Sequence, residues 1–400
     1  MRILWHGIGP WHKTAYGVLT ALFAPLLADL GHEVVIAFMG RKGIDDDPAE
    51  SHPEARRALE TGLWPGLPGN GPMRVIGPGA TEFGLPSVSE VCGAFSFNAS
   101  PDVVIVLKDP WVLTPEAYKR YPRTYVWTNI DCDPLGTPDR LFFERAGASV
   151  VPVAVSEFGQ RMLAGAGFAA GLIPHGIDPE LWNPGEGKAA ARKLLDLRQD
   201  DFLVGINATN VGPRKAWGEQ FDGFARFARR YPGRAILLVH TVKNHGEGID
   251  LEALARARGI SGSVAFGSHV NMRSAQMASW YRSLDVLLAC TYGEGFAMPV
   301  IESIACGTPV IGADNSAVSE KIDANCGWLV PCQRWWNPVH EADWAIPNVN
   351  AITTALVKAS KARPKIPPEI RHRYDAPALA RQWDALLTRV PRETMSPCPA

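Results

Sequence analysis

Glu294 and Glu302 stand eight residues apart in the segment YRSLDVLLACTYGEGFAMPVIESIACGTPVIGADNSAVSE, at 281–320. The pattern predicts a strand over 285–290, a turn over 291–295 and a helix over 298–306, stopped by Gly307. Glu294 then lies on the turn beyond the strand's carboxyl end, where open α/β sheets bind ligands. Glu302 lies in the helix between Ile301 and Ile304. A merely solvated glutamate fits a polar helix face; in a helix this apolar the carboxylate needs a partner. The amides of Gly295 to Met298 fall at the helix N-terminus, where N–H groups lack intrahelical acceptors and suit anionic or hydroxyl-rich ligands. A loop carboxylate, a helix carboxylate and these amides could engage several hydroxyls of one sugar nucleotide.

Arg214 and Lys215 are a second chemical pair. The pattern sets them at the start of a helix over 214–230, where cations oppose the macrodipole, so the position needs another reason. An anionic ligand supplies one. Asp131 and Asp133 flank Cys132 in an Asp-x-Asp spacing. Two carboxylates are an incomplete metal shell, so a polar binding role for Asp131 is the better reading and no metal site is expected. Gly7 and Gly9 open a Gly-x-Gly, but His12 stands at the third glycine position of the dinucleotide fingerprint. The second predicted strand ends Met39-Gly40-Arg41 without a ribose-binding acid. An NAD site is therefore rejected. His12, Lys13 and Tyr16 on that loop are candidate ligand contacts. His240, at a strand end, could border a nucleotide pocket, although a satisfied strand-end histidine is the plainer reading. Trp5, Trp11, Trp111, Trp127, Trp335, Trp336 and Trp344 could stack on sugars or bases, but most tryptophans pack in cores. No convincing general base, nucleophile or triad emerges.

Short apolar runs that could hold these groups fall at 2–6, 33–39, 103–107, 124–127 and 150–155, then at 202–206, 235–240, 264–266, 284–290, 309–311 and 328–330. Many are unbroken, as in parallel strands covered on both faces. Helical patterns lie between them, so the chain is α/β with two doubly wound series. They join near 174–187, where PHGIDPELWNPGEG is dense in turn formers. A final amphipathic helix over about 375–390 precedes a frayed tail at 391–400. Four hundred residues suit two or three cores rather than one. Residues 1–185 hold 14 basic and 20 acidic groups and residues 186–400 hold 26 and 21, for a whole-chain charge of −1. An anionic ligand is favoured by the second half, and the acidic first half disfavours nucleic acid. No uncharged apolar run reaches the length of a spanning helix, and Met1 to Gly7 reads as a strand and a glycine rather than a signal peptide. The expected location is cytoplasmic. The seven cysteines are scattered without a Cys-x-x-Cys and read as free thiols.

The 281–320 segment resembles the E-x7-E region of retaining glycosyltransferases of the GT-B fold, in particular the large family 4. The matching pieces are Tyr281 to Asp285, Glu294-Gly295-Phe296, Pro299, Glu302, Cys306-Gly307-Thr308-Pro309-Val310-Ile311, Glu320 and Gly327. The likeness extends to Gly31-His32-Glu33-Val34, to Pro174-His175-Gly176-Ile177-Asp178 and to Arg214-Lys215, and the N-terminal phrase is similar to an actinobacterial and phage subset. The resemblance implies two Rossmann-like domains facing a cleft. It sets an acceptor-side domain at 1–180, a donor-binding domain at 181–365, a helix over 366–390 that returns to the first domain, and the tail. It implies a retaining, metal-independent hexosyltransferase that needs no cofactor and takes a UDP-, GDP- or ADP-sugar. Glu302 would bind the ribose, and Glu294 the hydroxyls of the transferred sugar. Gly295, Phe296, Ala297, Met298, Pro299 and Val300 would hold sugar and diphosphate through their backbone. Arg214 and Lys215 would neutralise the diphosphate. Gly17 would let the donor phosphates approach, His240 would border the nucleotide, and Asp131 stands where the family often has a histidine. The acceptor is not named: a glycan, a small molecule, a protein or a DNA base fits the pattern. A sugar-nucleotide epimerase and a non-catalytic binding scaffold are the other classes, separated from transfer by turnover. The chain departs from the family at Asn207 to Asn210, which lack the usual arginine, and at Ala297, which replaces a common glycine.

Overall fold

The computed structural model describes residues 1–40, 53–67, 71–81, 83–243, 246–267, 272 and 274–389. The tail expected at 391–400 lies outside them. The chain divides into two compact units. One comprises 1–130, 134–176 and 376–400, and the other 131–133 and 177–375.

The first unit is built on strands β1 (Arg2–Ile8), β2 (Glu33–Met39), β3 (Leu63–Trp64), β4 (Met73–Ile76), β5 (Val103–Leu107), β6 (Thr124–Thr128), β7 (Val150–Ala154) and β8 (Gly171–Leu172). They lie in the order β3-β4-β2-β1-β5-β6-β7-β8, all parallel except the edge pair β3–β4. β5 and β6 are buried at every residue, as unbroken apolar runs demand when both faces are covered. The helix Ala376–Thr388 belongs to this unit. Its Trp383 is fully buried, edge-on to Trp127 at 5.4 Å, and its Asp384 meets His32 Nε2 at 3.1 Å. Trp5 and Trp127 are core residues here, not stacking surfaces for a ligand.

The second unit carries β9 (Phe202–Asn207), β10 (Ala235–His240), β11 (Val264–Phe266), β12 (Val286–Ala289), β13 (Val310–Ala313) and β14 (Gly327–Val330). Their order is β11-β10-β9-β12-β13-β14, all parallel. This is the Rossmann order, with its switch point where β9 meets β12. Phe221, Phe224 and Phe227 of helix Trp217–Ala228 are fully buried in its core beside Ile352 and Leu356 of helix Val349–Ala359. The sequence pattern does not show the antiparallel hairpin of β15 (Cys332–Asn337) and β16 (Ala342–Pro347), which forms its own two-stranded sheet. Cys132, Cys290, Cys306, Cys326 and Cys332 are free thiols, but Cys92 is disulfide-bonded, which corrects the expectation that all seven cysteines are free.

Candidate active site

The helix expected from 214 begins at Trp217 instead. Ala216 takes a left-handed conformation (φ 48°, ψ 41°), which breaks the helical run and puts Arg214 and Lys215 on the turn before it. Both cations still stand at the positive end of the helix, and it is the Glu294 carboxylate that offsets this. The turn is stitched to the loop after β12: Tyr292 N–H donates to the Arg214 carbonyl at 2.8 Å, and the Arg214 guanidinium donates to the Gly293 carbonyl at 2.7 Å.

These bonds bring the two cations onto Glu294. Arg214 donates to Oε2 at 2.9 Å and Lys215 to Oε1 at 2.5 Å, so each carboxylate oxygen has its own cation. Burial alone would raise the Glu294 pKa. The Arg214 and Lys215 charges and their hydrogen bonds outweigh it and hold the group at about 2. Lys215 is pulled below the usual lysine range by burial and by Arg214, and Glu294 opposes that shift. The loop backbone is fixed from the other side. Glu294 N–H donates to Ser316 Oγ at 2.9 Å, Ala317 N–H to the Glu294 carbonyl at 3.2 Å, and Asn315 to the Tyr292 carbonyl at 2.7 Å.

Asp131 joins this cluster, with Oδ2 at 3.6 Å from Arg214 Nε. The acceptor-side domain expected at 1–180 would hold Asp131 apart from Arg214 and Lys215; the structure corrects this, because 131–133 folds with the second unit. Asp133 exchanges backbone hydrogen bonds with Asp343 of β16, and its carboxylate meets Arg334 at 3.1 Å. The two aspartates thus face different arginines. Gly293 makes the close packing feasible, since a Cβ there would fall 2.3 Å from the Asp131 carbonyl. Two positive and two negative groups make the Arg214–Lys215–Glu294–Asp131 cluster formally neutral, with Arg214 and Asp131 its more exposed members at 29% and 24%.

Ala297 takes φ 70°, ψ 63° and caps helix Met298–Ala305. The glycine common at this family position has a physical reason: left-handed backbone costs an L-residue roughly 1–2 kcal/mol. Of the expected backbone cradle, Pro299 has no N–H, and the Val300 N–H closes a turn onto the Ala297 carbonyl at 3.0 Å. Gly295, Phe296, Ala297 and Met298 are the remaining amides. The Phe296 side chain is core, edge-on to Tyr374 at 5.4 Å, with the Lys321 ammonium 4.2 Å above its ring.

Glu302 has the partner its apolar helix demands. The Tyr281 hydroxyl donates to its Oε2 at 2.8 Å. Burial pushes its pKa up to about 7, against the lowering effect of that bond. Asn207, at the end of β9, donates to the Tyr281 hydroxyl at 2.7 Å and meets His240 Nδ1 across 3.0 Å. Asn207 and His240 therefore end strands β9 and β10, and Glu294 and Glu302 follow β12, so all four lie at or beyond carboxyl ends of strands around the β9–β12 switch point. Sequence reasoning noted Asn207 only as a departure from the family pattern, treated Tyr281 only as a motif residue, and missed Ser316. The strand-end position of Asn207 beside that of His240 was the signal available. Asn210 is structural, donating to the carbonyls of Lys243 and Ile249.

Gly17 belongs to the first unit, where a Cβ would fall 2.3 Å from the His12 carbonyl, so the local turn already requires glycine. Tyr16 donates to Asp109 at 2.6 Å and accepts from Asn129 at 2.9 Å. Among the described residues no helix is long and apolar enough to cross a membrane.

Acids and cations thus gather at the switch point of a Rossmann-like α/β unit. Residues 234–340 match the family model described as glycosyl transferases group 1. The chain is 34% identical over 193 residues to a D-inositol 3-phosphate glycosyltransferase of Mycobacteroides abscessus, and 31% over 199 residues to that of Stackebrandtia nassauensis. These matches span 47% and 48% of the chain but only 39% and 42% of those relatives. Among solved structures it is similar to sucrose-phosphate synthase from Thermosynechococcus elongatus, with a TM-score of 0.72 and 16% identity over 97% of this chain and 98% of that one. It is also similar to Anabaena HepE in complex with UDP-glucose, with a TM-score of 0.70 and 15% identity over 98% and 100%. The likeness to family 4-type glycosyltransferases read from the sequence is borne out, and the fold is GT-B, with two Rossmann-like units.

Proposed function

We propose that the chain is a retaining, metal-independent glycosyltransferase that moves a hexosyl-type sugar from a nucleotide-diphosphate sugar to an acceptor. The observation that carries this reading is the contrast between two acids on one loop–helix segment. Glu294 is clamped by two cations. Glu302, eight residues on, is half-buried with only a phenol for company and with Oε1 taking no hydrogen bond among the described residues. A carboxylate so placed is satisfied by a ligand that brings neutral O–H donors, as a ribose diol does.

In this reading Glu302 binds the ribose and the amides of Gly295 to Met298 hold the sugar and diphosphate. Arg214 and Lys215 face the negative charge that grows on the leaving diphosphate. Glu294 fixes both cations and offers its carboxylate edge to the sugar hydroxyls, and Asp131 lies on the exposed side of Arg214. The acceptor proton passes to the departing phosphate oxygen, so no protein base is required. The named relatives act on D-inositol 3-phosphate, which makes an inositol phosphate the first acceptor to offer.

The test is a thermal-shift screen of UDP-, GDP- and ADP-sugars, followed by transfer assays with the best donor, with and without a chelator. A ligand at a hundred times its Kd adds about 2.7 kcal/mol. Product with the donor's anomeric configuration, formed in chelator, is expected. Isomerised donor, inverted product, or binding without turnover would sink the proposal.

A further inference from the structure

Asn207, His240, Tyr281 and Glu302 come from four elements and form one hydrogen-bonded line. Its directions follow from the groups. A phenol that donates to a carboxylate keeps lone pairs for the Asn207 amide N–H. The Asn207 oxygen then faces His240, which carries its proton on Nδ1. Tyr281 is in no position to drift. It is fully buried, edge-on to Trp182 at 5.7 Å and Trp280 at 5.1 Å, and its carbonyl accepts from the Thr308 hydroxyl at 2.8 Å. Burial pushes the phenol pKa well up, so the hydroxyl stays protonated.

A glutamate that must grip a diol has three side-chain torsions to order first, and fixing them beforehand strengthens binding. Phenylalanine would fill the Tyr281 site as well, so packing gives no reason for the hydroxyl. We propose that Tyr281 and Asn207 are positioning residues for the nucleotide-sugar donor, holding the Glu302 carboxylate at one tilt with Oε1 presented to the ribose and binding His240 into the same unit. This deepens the proposed function and rests on it.

The experiment is titration calorimetry and donor-saturation kinetics with UDP-glucose, with GDP-glucose and ADP-glucose in parallel arms. The proteins are the wild type, Tyr281→Phe, Asn207→Ala, Glu302→Gln and the Tyr281→Phe/Glu302→Gln double variant. Losing one hydrogen bond to a charged group predicts that Tyr281→Phe weakens donor affinity about tenfold. The loss should appear in KM, with kcat changed by less than about twofold. The double variant should bind no more weakly than Glu302→Gln alone, because the hydroxyl acts through that carboxylate. Asn207→Ala should weaken binding in the same direction, and it decides the matter if Tyr281→Phe does not fold. A lowered melting temperature with unchanged donor affinity, or additive losses in the double variant, would overturn the positioning role alone. Failure of the wild type to bind any of the three donors would overturn the proposed function and this inference with it.

Discussion

The two glutamates show how one residue type is put to opposite uses by its surroundings. Glu294 is half-buried yet strongly acidic because Arg214 and Lys215 each bond one of its oxygens. Glu302 is half-buried and weakly acidic because its withdrawal from water raises its pKa and only the Tyr281 hydroxyl opposes the rise. The need of Glu302 for a partner was legible from its apolar helix. That Arg214 and Lys215 would bond an acid 79 or 80 residues on was not, since no local periodicity encodes so distant a pairing. The pairing has a testable cost. Lys215→Ala strips one cation from the Glu294 carboxylate, which typically destabilises by about 3 kcal/mol when a partner is lost. Arg214 still holds Glu294, so the fold should survive. Kinetics should show kcat falling more than donor affinity, because the lost charge matters most as the diphosphate departs. Equal loss in both would mean that Lys215 serves ground-state binding only.

Elements were legible where their physics is local. Unbroken apolar runs marked the parallel strands, and Gly307 marked the end of the site helix. Backbone conformation was not legible at Ala216 and Ala297, whose left-handed turns set both helix starts but whose side chains advertise nothing. The β15–β16 hairpin was also missed. Consecutive Trp335 and Trp336 break clean alternation, and its turn lacks an Asn-Gly signal. Yet this hairpin braces the site. Trp335 stacks on Trp344 at 6.0 Å, Ala345 N–H donates to the Tyr292 carbonyl at 2.8 Å, and Asp343 pairs with Asp133. Gly293 lies under it, where a Cβ would fall 2.3 Å from the Asp131 carbonyl and 3.0 Å from the Trp344 ring. Gly293→Ala must therefore push the 131–133 segment or the loop aside. Overpacking of this kind costs about 1–3 kcal/mol, to be read from urea unfolding midpoints. Because the same loop carries Glu294, turnover should fall by more than the stability loss explains. A variant that keeps wild-type stability and kcat would show that the hairpin does not brace the loop.

At the scale of the whole chain, two series of parallel strands were readable from rhythm, because central strands buried on both faces leave an apolar run, whereas the strand order and the short strands β3, β4 and β8 were not. The coupling of fold stability to the site was not readable, since it depends on how deeply each acid is buried. Glu294 has a folded pKa of about 2 against an ordinary 4.5. Between those values the unfolded chain binds more protons, so this group's stabilisation is present above pH 4.5 and lost as pH falls toward 2. Glu302 has a folded pKa of about 7 against 4.5. Here the folded chain binds more protons, so stability is greatest below 4.5 and declines as pH rises through 7. Each effect is worth up to about 3 kcal/mol. Stability without ligand should thus fall from pH 5 to pH 8, and Glu302→Gln should remove that fall, gaining most at pH 8. Donor affinity should run the other way, because a ribose diol donates to the carboxylate and not to the acid. With a pKa of about 7, the ionised fraction and hence the affinity rise about tenfold between pH 6 and pH 8. Urea unfolding and donor titration over pH 5–8 measure the two slopes on the same protein. Opposite signs in the wild type, both flattened in Glu302→Gln, would identify Glu302 as the group that gives up stability for ligand. A donor affinity that is flat with pH, or a slope that persists in Glu302→Gln, would assign the titration to another group and leave Glu302 without the ribose.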